Sequence, residues 1–326
     1  MRFGEGSLTF ELVEDWEQLP AGMSHVDVAA VSADDDGRVY LFCRGEHPVM
    51  VYESDGTFVD TWGEGRFSYR THGMYMSRAG ELLLVDDLGS SVGRYSRDGE
   101  LLRSFGPTGE SSDTGWTLDH MVVDRAGPPY NRPTNAAVAP SGEVYVSDGY
   151  GNARIHRFAA DGELLASWGR PGSGPGEFRT PHSIWVLDDR RVLVADRQNE
   201  RIQVFDEDGN YLTEWNDVQR PQDLYVDDAG LIYVAELAWA VGETSYKHGT
   251  MTEYVPGRLS ILDPEGNCLV RWSTPDVNAP GAIVAAHGLC VDREGSIYLA
   301  EVTDTIGVSK GLVGPDAPTF LKFARV

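Results

Sequence analysis

A repeated unit constrains this sequence more than any other feature. A copy usually has a β-branched or aromatic run ending in an acid, a loop, a second run, an Asp-Gly pair and a third run. Clear copies occupy residues 37–63, 80–106, 142–169 and 190–216, and weaker ones occupy 230–273 and 295–326. Self-similarity at a regular spacing is the signature of a repeat architecture. The chain is therefore expected to fold as six similar units.

Each unit reads as a small antiparallel sheet. The Asp-Gly pairs at 55–56, 98–99, 161–162 and 208–209 predict hairpin turns, and a further short strand precedes each unit. Four strands per unit and six units predict an all-β, six-bladed β-propeller with four-stranded antiparallel blades. We expect a single domain over residues 1–326, with its ring closed by the N-terminal strand "LTFELV". No 3.6-residue periodicity supports a helical solenoid.

Two insertions interrupt the regular spacing of the units. Residues 107–132 and 238–257 are polar and rich in glycine. We expect both to be loops on one face of the propeller, where they would be candidates for lids.

The charge and composition of the chain restrict the classes of partner and the cellular compartment that we expect. The formal net charge of −24 disfavours nucleic acid and anionic membranes as partners. The expected partner is a small-molecule substrate that bears a carboxylate. The N-terminus lacks a signal-peptide pattern, and no run of about 18 apolar residues predicts a membrane span. Three cysteines without a CxxC pair favour a reducing compartment, so we expect a cytoplasmic protein. The sequence does not determine the oligomeric state.

Histidines recur at one position of the units. The start of the first strand holds, in chain order, Val26 or a neighbour, His72, Thr134, His182, Gln222 and His287. Alternate blades of a six-fold ring are related by about a third of a turn, so three imidazoles would converge near the axis. Three His ligands with one open position are typical of catalytic zinc, although iron, cobalt or copper would also suit. A single histidine at a strand start is more often a turn or channel residue.

The other histidines show no such register. We expect them to be surface or loop residues: His25, His47, His120, His156 and His248.

Three further residues follow second strands and could complete a site. Arg44 and Arg197 lie in blades expected to face each other, and arginine binds a carboxylate with a planar two-point fork. Tyr150 follows the second strand of the third blade and, close to a dication and arginines, could lose its proton and serve as a base. The alternatives are ion pairs with acids such as Asp196 for the arginines, and simple loop packing for the tyrosine.

The sequence segments around these residues are similar to those of a known protein family. In "CRGEH" (43–47), "THGMYMSRAGELLLVDD" (71–87), residues 133–155 and 181–205, and "AHGLCVDREGSIYLAE" (286–301), the chain resembles the peptidyl-α-hydroxyglycine α-amidating lyase family. The resemblance covers nearly the whole chain and implies a six-bladed propeller with NHL-type repeats. It implies a catalytic zinc on His72, His182 and His287. It also implies Tyr150 as the base, with Arg44 and Arg197 as site arginines.

The resemblance is incomplete in two respects. The family's structural calcium uses two carbonyls, here at Val31 and Met74, and an aspartate that is Gly288 in this chain. Losing the one charged ligand of a hard cation should weaken that site greatly, so we do not expect calcium there. A cysteine of the animal enzymes is Gly151 here, and the sequence contains no monooxygenase domain. We therefore expect the chemistry rather than peptide amidation itself to be shared.

The resulting expectation is a zinc-dependent carbon–nitrogen lyase. It would cleave an N-acyl-α-hydroxyglycine-like carbinolamide to an amide and glyoxylate, with no redox cofactor. One alternative is a lyase for another small carbinolamide such as ureidoglycolate. Another is a non-catalytic NHL propeller that binds a protein partner. A propeller lactonase fits less well, since such enzymes hold their metal with Glu, Asn and Asp.

Overall fold

The chain folds as a six-bladed β-propeller with almost no helix, as predicted. The structure is a computed structural model that describes all 326 residues. Each blade is an antiparallel sheet of four strands, and the last blade carries one strand more. None of its helices is long and apolar enough to cross a membrane.

The strands follow the repeat. Blade 1 contains Asp27–Ala33, Val39–Arg44, Val49–Tyr52 and Phe58–Trp62. Blade 2 contains Thr71–Met76, Leu82–Asp86, Ser91–Tyr95 and Leu101–Ser104. Blade 3 contains Pro133–Val138, Val144–Asp148, Arg154–Phe158 and Leu164–Trp168. Blade 4 contains Pro181–Val186, Val192–Asp196, Arg201–Phe205 and Tyr211–Trp215. Blade 5 contains Pro221–Val226, Ile232–Glu236, Arg258–Leu262 and Cys268–Ser273. Blade 6 contains Ala286–Val291, Ile297–Glu301, Phe320–Arg325, Leu8–Val13 and Arg2–Glu5.

The blades fall into two compact units. Unit 1 comprises Met1–Gly65 and Gln222–Val326 and holds blades 1, 5 and 6. Unit 2 comprises Arg66–Pro221 and holds blades 2, 3 and 4. A single domain over residues 1–326 stays a prediction.

The core of unit 2 lies between neighbouring blades. Every residue of the second strands of blades 2, 3 and 4 is buried, whereas the fourth strand Leu101–Ser104 is exposed throughout. Leu83 of blade 2 packs with Val146 of blade 3 in a cluster that includes Phe105 and Tyr130. Stacked blades therefore remove the apolar faces of their inner strands from water, the dominant favourable contribution to folding.

The N-terminal segment completes blade 6 within unit 1. Leu8–Val13 pairs antiparallel with Phe320–Arg325, which confirms the prediction that this strand joins the final blade. Arg2–Glu5 adds a fifth strand that the sequence analysis did not predict. Phe3 and Phe10 pack on Trp272, with ring centroids 6.1 and 5.5 Å away, so the added strands also contribute to the core.

The predicted turns and loops are mostly confirmed. Gly56 of the first Asp-Gly turn has φ +87°, and a Cβ there would overlap the carbonyl oxygen of Trp16. Residues 107–132 contain no strand or helix, whereas 238–257 contains a small ribbon of Thr244–Ser245 and Gly249–Thr250. Two short helical segments were not predicted, the 3₁₀ turn Arg197–Asn199 and the π-helix Thr303–Val308.

Candidate metal centre

A β-bulge recurs near the start of the first strand in unit 2. In blade 3, Pro133 pairs with Asp148 and Asn135 with Ser147, which leaves Thr134 as the extra residue. The same shift in blade 4 makes His182 the extra residue, and the irregularity in blade 2 includes His72. Bulges re-aim a side chain out of the regular alternation. The repeat thus gives these three residues equivalent places.

Unit 1 shows the same bulge with one correction. His287 is the extra residue in blade 6, as the predicted register requires. In blade 1 the extra residue is Ala29, not Val26. Val26 precedes the strand and is exposed, because its equivalence was judged from sequence without the pairing register that defines the bulge.

The His72 ring is fixed by the blade next to it. Its Nδ1 lies 2.5 Å from the carbonyl oxygen of Thr134, and the side chain is buried. A carbonyl oxygen only accepts hydrogen bonds, so Nδ1 carries the hydrogen, and in the neutral ring Nε2 keeps its lone pair. That Nε2 lies 3.0 Å from the hydroxyl oxygen of Tyr150.

Tyr150 lies between two histidines of unit 2. Its hydroxyl oxygen is also 3.0 Å from Nε2 of His182, and the rings of His72 and His182 are 4.7 Å apart. A phenol has one hydrogen and can donate it to only one of these nitrogens at a time. The hydroxyl group of Tyr150 therefore contacts one ring nitrogen of each of two buried histidines.

His287 has the same orientation within unit 1. Its Nδ1 lies 2.7 Å from the carbonyl oxygen of Ala29, so this ring too keeps a lone pair on Nε2 when neutral. One ring nitrogen from each of His72, His182 and His287 lies within 4.8 Å of the others. These three buried imidazoles could bind a metal, because imidazole nitrogen is the ligand type of a three-histidine site.

The predicted arginines lie in different units. The guanidinium of Arg197 lies over the Tyr150 ring, 5.3 Å from its centroid, in unit 2. The neighbouring Asp196 forms an ion pair with Arg201 at 2.9 Å. Burial raises the pKa of Asp196 to about 6, although Asn199 and Arg201 oppose that shift.

Arg44 is held within unit 1. Its Nη1 donates to Asp27 at 3.1 Å and to the Thr305 hydroxyl at 2.9 Å. The Asp27 carboxylate also accepts a hydrogen bond from the backbone N–H of Asp304 at 2.8 Å, which ties it to the π-helix. Arg44 pairs across the sheet with Asp27, one residue beyond Cys43, which is opposite Val28, the residue before the bulge. The guanidinium is thus oriented by a fully buried carboxylate.

Sequence analysis missed two arginines beside Tyr150. The guanidiniums of Arg70 and Arg132 lie over its ring, 5.6 and 5.4 Å from the centroid. Both residues stand two positions before the residue at the first-strand slot, His72 and Thr134. That shared offset was visible in the sequence and could have identified them.

His156 corrects the prediction for the remaining histidines. It lies fully buried in the third strand of blade 3, not on the surface or in a loop. Its Nδ1 is 2.8 Å from the Ser167 hydroxyl and its Nε2 is 3.3 Å from Asp148. The sequence "ARIHRF" alone does not show that this histidine contacts a buried acid of the same blade, Asp148.

The position of the family's calcium aspartate is tightly packed. A Cβ at Gly288 would lie 2.7 Å from Cα of Ala30 and 2.9 Å from the carbonyl oxygen of Ala29. Real Cβ atoms essentially never approach other atoms below about 3.0 Å, so the backbone would have to move to admit any side chain. This packing supports the expectation that no calcium ligand is supplied here.

Similarity to known proteins shows which family the chain belongs to. A family model described as a six-bladed β-propeller matches residues 138–233. NHL repeat-containing protein 3 of Mus musculus is 30% identical over 286 residues, covering 82% of this chain and 74% of that protein. The chain belongs to the NHL repeat-containing protein 3 family.

The amidating lyases are homologues of this NHL-repeat chain as well. A probable peptidyl-alpha-hydroxyglycine alpha-amidating lyase of Caenorhabditis elegans is 30% identical over 160 residues, covering 48% of this chain and 42% of that protein. Among solved structures, a streptogramin B lyase has a TM-score of 0.59 at 13% identity, covering 96% of this chain and 97% of that one. This last likeness concerns the fold alone.

Proposed function

We propose that this NHL-repeat propeller is a zinc-dependent carbon–nitrogen lyase. Its substrate would be an N-acyl-α-hydroxyglycine-like carbinolamide, and its products an amide and glyoxylate. The observation that carries the proposal is the convergence of three imidazole nitrogens within 4.8 Å, together with a tyrosine hydroxyl 3.0 Å from two of these rings. Homology to amidating lyases supports the same chemistry.

His72, His182 and His287 would hold the metal. Bound zinc supplies a Lewis acid that makes a hydroxyl group more acidic at neutral pH. Tyr150, once its own phenolic proton has been lost to solvent, would accept the proton of the substrate hydroxyl. The electron pair of that O–H bond then forms the carbonyl of glyoxylate, the C–N bond breaks, and the amide nitrogen receives a proton from Tyr150. Atoms and charge balance without an oxidant or reductant.

Arg44 and Arg197 would offset negative charge that develops on the substrate. Arg197 lies over the Tyr150 ring, and Arg44 is oriented by Asp27 and Thr305. A guanidinium held in advance by a buried acid loses little freedom when it binds an anion, and it offsets charge that develops in the transition state.

Other functions share parts of this site. A lyase for another carbinolamide, such as ureidoglycolate, would use the same six residues and differ in the loops at 107–132 and 238–257. A non-catalytic propeller that binds a protein partner is compatible with membership of the NHL repeat-containing protein 3 family, and it requires no metal. A cytoplasmic location and a lack of nucleic-acid and membrane partners stay predictions.

Metal content is the decisive experiment. The purified chain, supplied with zinc and desalted, should contain about one zinc per chain by mass spectrometry, and His182→Ala should contain almost none. His47→Ala is the matched control, since His47 lies in a loop and pairs with exposed Glu64. Wild type should then release glyoxylate from α-hydroxyhippurate or from ureidoglycolate.

Two results would contradict the proposal. A wild-type chain that binds no zinc would leave the binding propeller as the better interpretation. Stoichiometric zinc retained by His182→Ala would refute the ligand assignment, even if the chain had lyase activity.

A further inference from the structure

Two arginines of unit 2 share one buried aspartate. Nη2 and Nε of Arg70 lie 2.8 and 3.2 Å from Oδ2 of Asp87, and Nη2 of Arg132 lies 3.0 Å from Oδ1. The Asp87 side chain is fully buried, whereas those of Arg70 and Arg132 are 22% and 12% exposed. The cations therefore reach the protein surface and the carboxylate does not.

The charges of this cluster do not cancel. Two guanidiniums face one carboxylate, which leaves one positive charge on a chain whose formal net charge is −24. An arginine guanidinium keeps its positive charge in proteins, so neither cation of the cluster is lost by deprotonation. Asp87 accepts hydrogen bonds from Nε and Nη2 of Arg70 and from Nη2 of Arg132. Nη1 of each arginine therefore remains available as a donor.

Comparison with the other blades argues against a purely structural role. In blade 4 the buried Asp196 is paired with Arg201, and in blade 3 the buried Asp148 is paired with His156. The equivalent acid of blade 2 is Asp86, which pairs across the sheet with Thr71. Asp87 is thus an additional acid one residue later, and one arginine would suffice to neutralise it.

The cluster is held rigidly beside Tyr150. The guanidinium of Arg132 lies 5.4 Å from the Tyr150 centroid and 5.0 Å from the Trp116 ring, so it is stacked against two aromatic side chains. The backbone N–H of Tyr150 also donates to the carbonyl of Arg132 at 3.3 Å. Stacking and pairing together orient the guanidinium before any ligand arrives, which reduces the entropy lost on binding.

We infer that Arg70 and Arg132, oriented by Asp87, form a carboxylate-binding subsite next to Tyr150. A carboxylate matches the planar donor edges of guanidinium groups. Two arginines that share one aspartate carry a net positive charge, which a bound anion would neutralise. The ligand would be the free carboxylate of an N-acylglycine-like molecule whose remaining atoms extend over Tyr150. Naming that molecule rests on the proposed function, but the anion subsite itself does not.

The test uses a ligand that cannot react. N-benzoylglycine has the amide and the carboxylate but no hydroxyl, and N-benzoylglycinamide is its neutral analogue. Binding of both to the metal-free chain is measured by calorimetry, so neither zinc nor turnover contributes. We expect N-benzoylglycine to bind at least about tenfold more tightly than the amide, with an affinity that falls as salt rises.

Variants assign the effect to the two arginines. Arg70→Gln and Arg132→Gln should each weaken N-benzoylglycine binding about tenfold or more and leave the amide unaffected. Arg94→Gln is the matched control, since Arg94 is a half-buried arginine over the ring of Phe105 instead of Tyr150. Asp87→Asn keeps both cations, so N-benzoylglycine should still bind more tightly than the neutral amide.

Each contrary outcome is informative. Equal affinity for the acid and the amide, wild-type affinity in both arginine variants, or no binding by the wild type would overturn the subsite. If an arginine variant unfolds, the affinities of the wild-type chain for the acid and the amide, and their dependence on salt, still decide. Absent zinc or glyoxylate release would refute the lyase without changing this binding result.

Discussion

Two buried histidines in neighbouring blades of unit 2 have opposite surroundings. His156 is 0% exposed and His72 is 1% exposed, so burial does not distinguish them. Both ring nitrogens of His156 contact its own blade, through Ser167 and Asp148. His72 uses Nδ1 for the carbonyl of the next blade and presents Nε2 to the Tyr150 hydroxyl.

The difference follows from the strand that carries each residue. His156 lies in a third strand opposite Val146, and Gln203 of blade 4 occupies the corresponding place opposite Val194. Gln203 likewise contacts the acid that ends the second strand, at 3.3 Å from Asp196. A polar residue at this position supports the blade, whereas a residue at the first-strand bulge is turned away from it. Position in the repeat, not burial, separates a structural histidine from a candidate ligand.

Replacing His72 gives the largest expected effect. His72→Ala should reduce bound zinc from about one per chain to below about 0.1 and abolish glyoxylate release, because two imidazoles rarely hold catalytic zinc. The native circular dichroism spectrum should persist, since the strand pairing of blade 2 is made by backbone groups and not by this side chain. Full zinc occupancy in His72→Ala would remove the distinction from His156.

Removing the Tyr150 hydroxyl tests the group between the two rings. Tyr150→Phe should lower kcat by roughly 10²- to 10⁴-fold, the usual contribution of a general acid–base group, and should keep zinc. Measurement of kcat together with metal content separates the two roles. Loss of zinc in Tyr150→Phe would mean that the hydroxyl is a ligand rather than the proton acceptor.

Glu301 extends the comparison to an acid that lacks a basic partner. Glu301 ends the second strand of blade 6, as Asp148 does in blade 3. Its carboxyl group accepts hydrogen bonds from the backbone N–H groups of Val284 and Ala285, each at 3.3 Å. Burial raises the pKa of Glu301 from its usual 4.5 to about 8, although those N–H groups and Thr303 oppose the shift.

This pKa makes stability depend on pH. The folded state keeps the Glu301 proton while the unfolded state releases it above about pH 4.5, so stability falls as pH rises from about 4.5 to about 8. Glu301→Gln should remove that loss, on the order of 3 kcal/mol, in urea unfolding at pH 5 and pH 8. Glu163→Gln, in an exposed turn, is the control and should leave the pH dependence unchanged. Identical pH dependence in wild type and Glu301→Gln would show that the carboxyl is ionised in the folded state.

The sequence predicted the features that repeat and missed those that occur once. Six units, their Asp-Gly turns and the histidine register follow from local patterns that recur in several blades. The fifth strand Arg2–Glu5 and the π-helix Thr303–Val308 have no second copy with which to compare them. Ala29 was misassigned because a bulge is defined by cross-strand pairing, and Arg70 was missed because its partner Asp87 is 17 residues away.

Replacing His156, the histidine compared with His72 above, gives the smallest expected effect. His156→Ala removes a contact from buried Asp148, which keeps hydrogen bonds from Asn131 and Asn152. We therefore expect a loss of about 2 kcal/mol of unfolding free energy in urea, typical of a buried polar group deprived of one partner. Zinc content and kcat should equal those of the wild type, and His47→Ala should change neither stability nor metal. A His156→Ala chain that folds normally but fails to bind zinc would show that the blade interior and the metal centre are one coupled network, and position in the repeat would no longer separate the two classes of histidine.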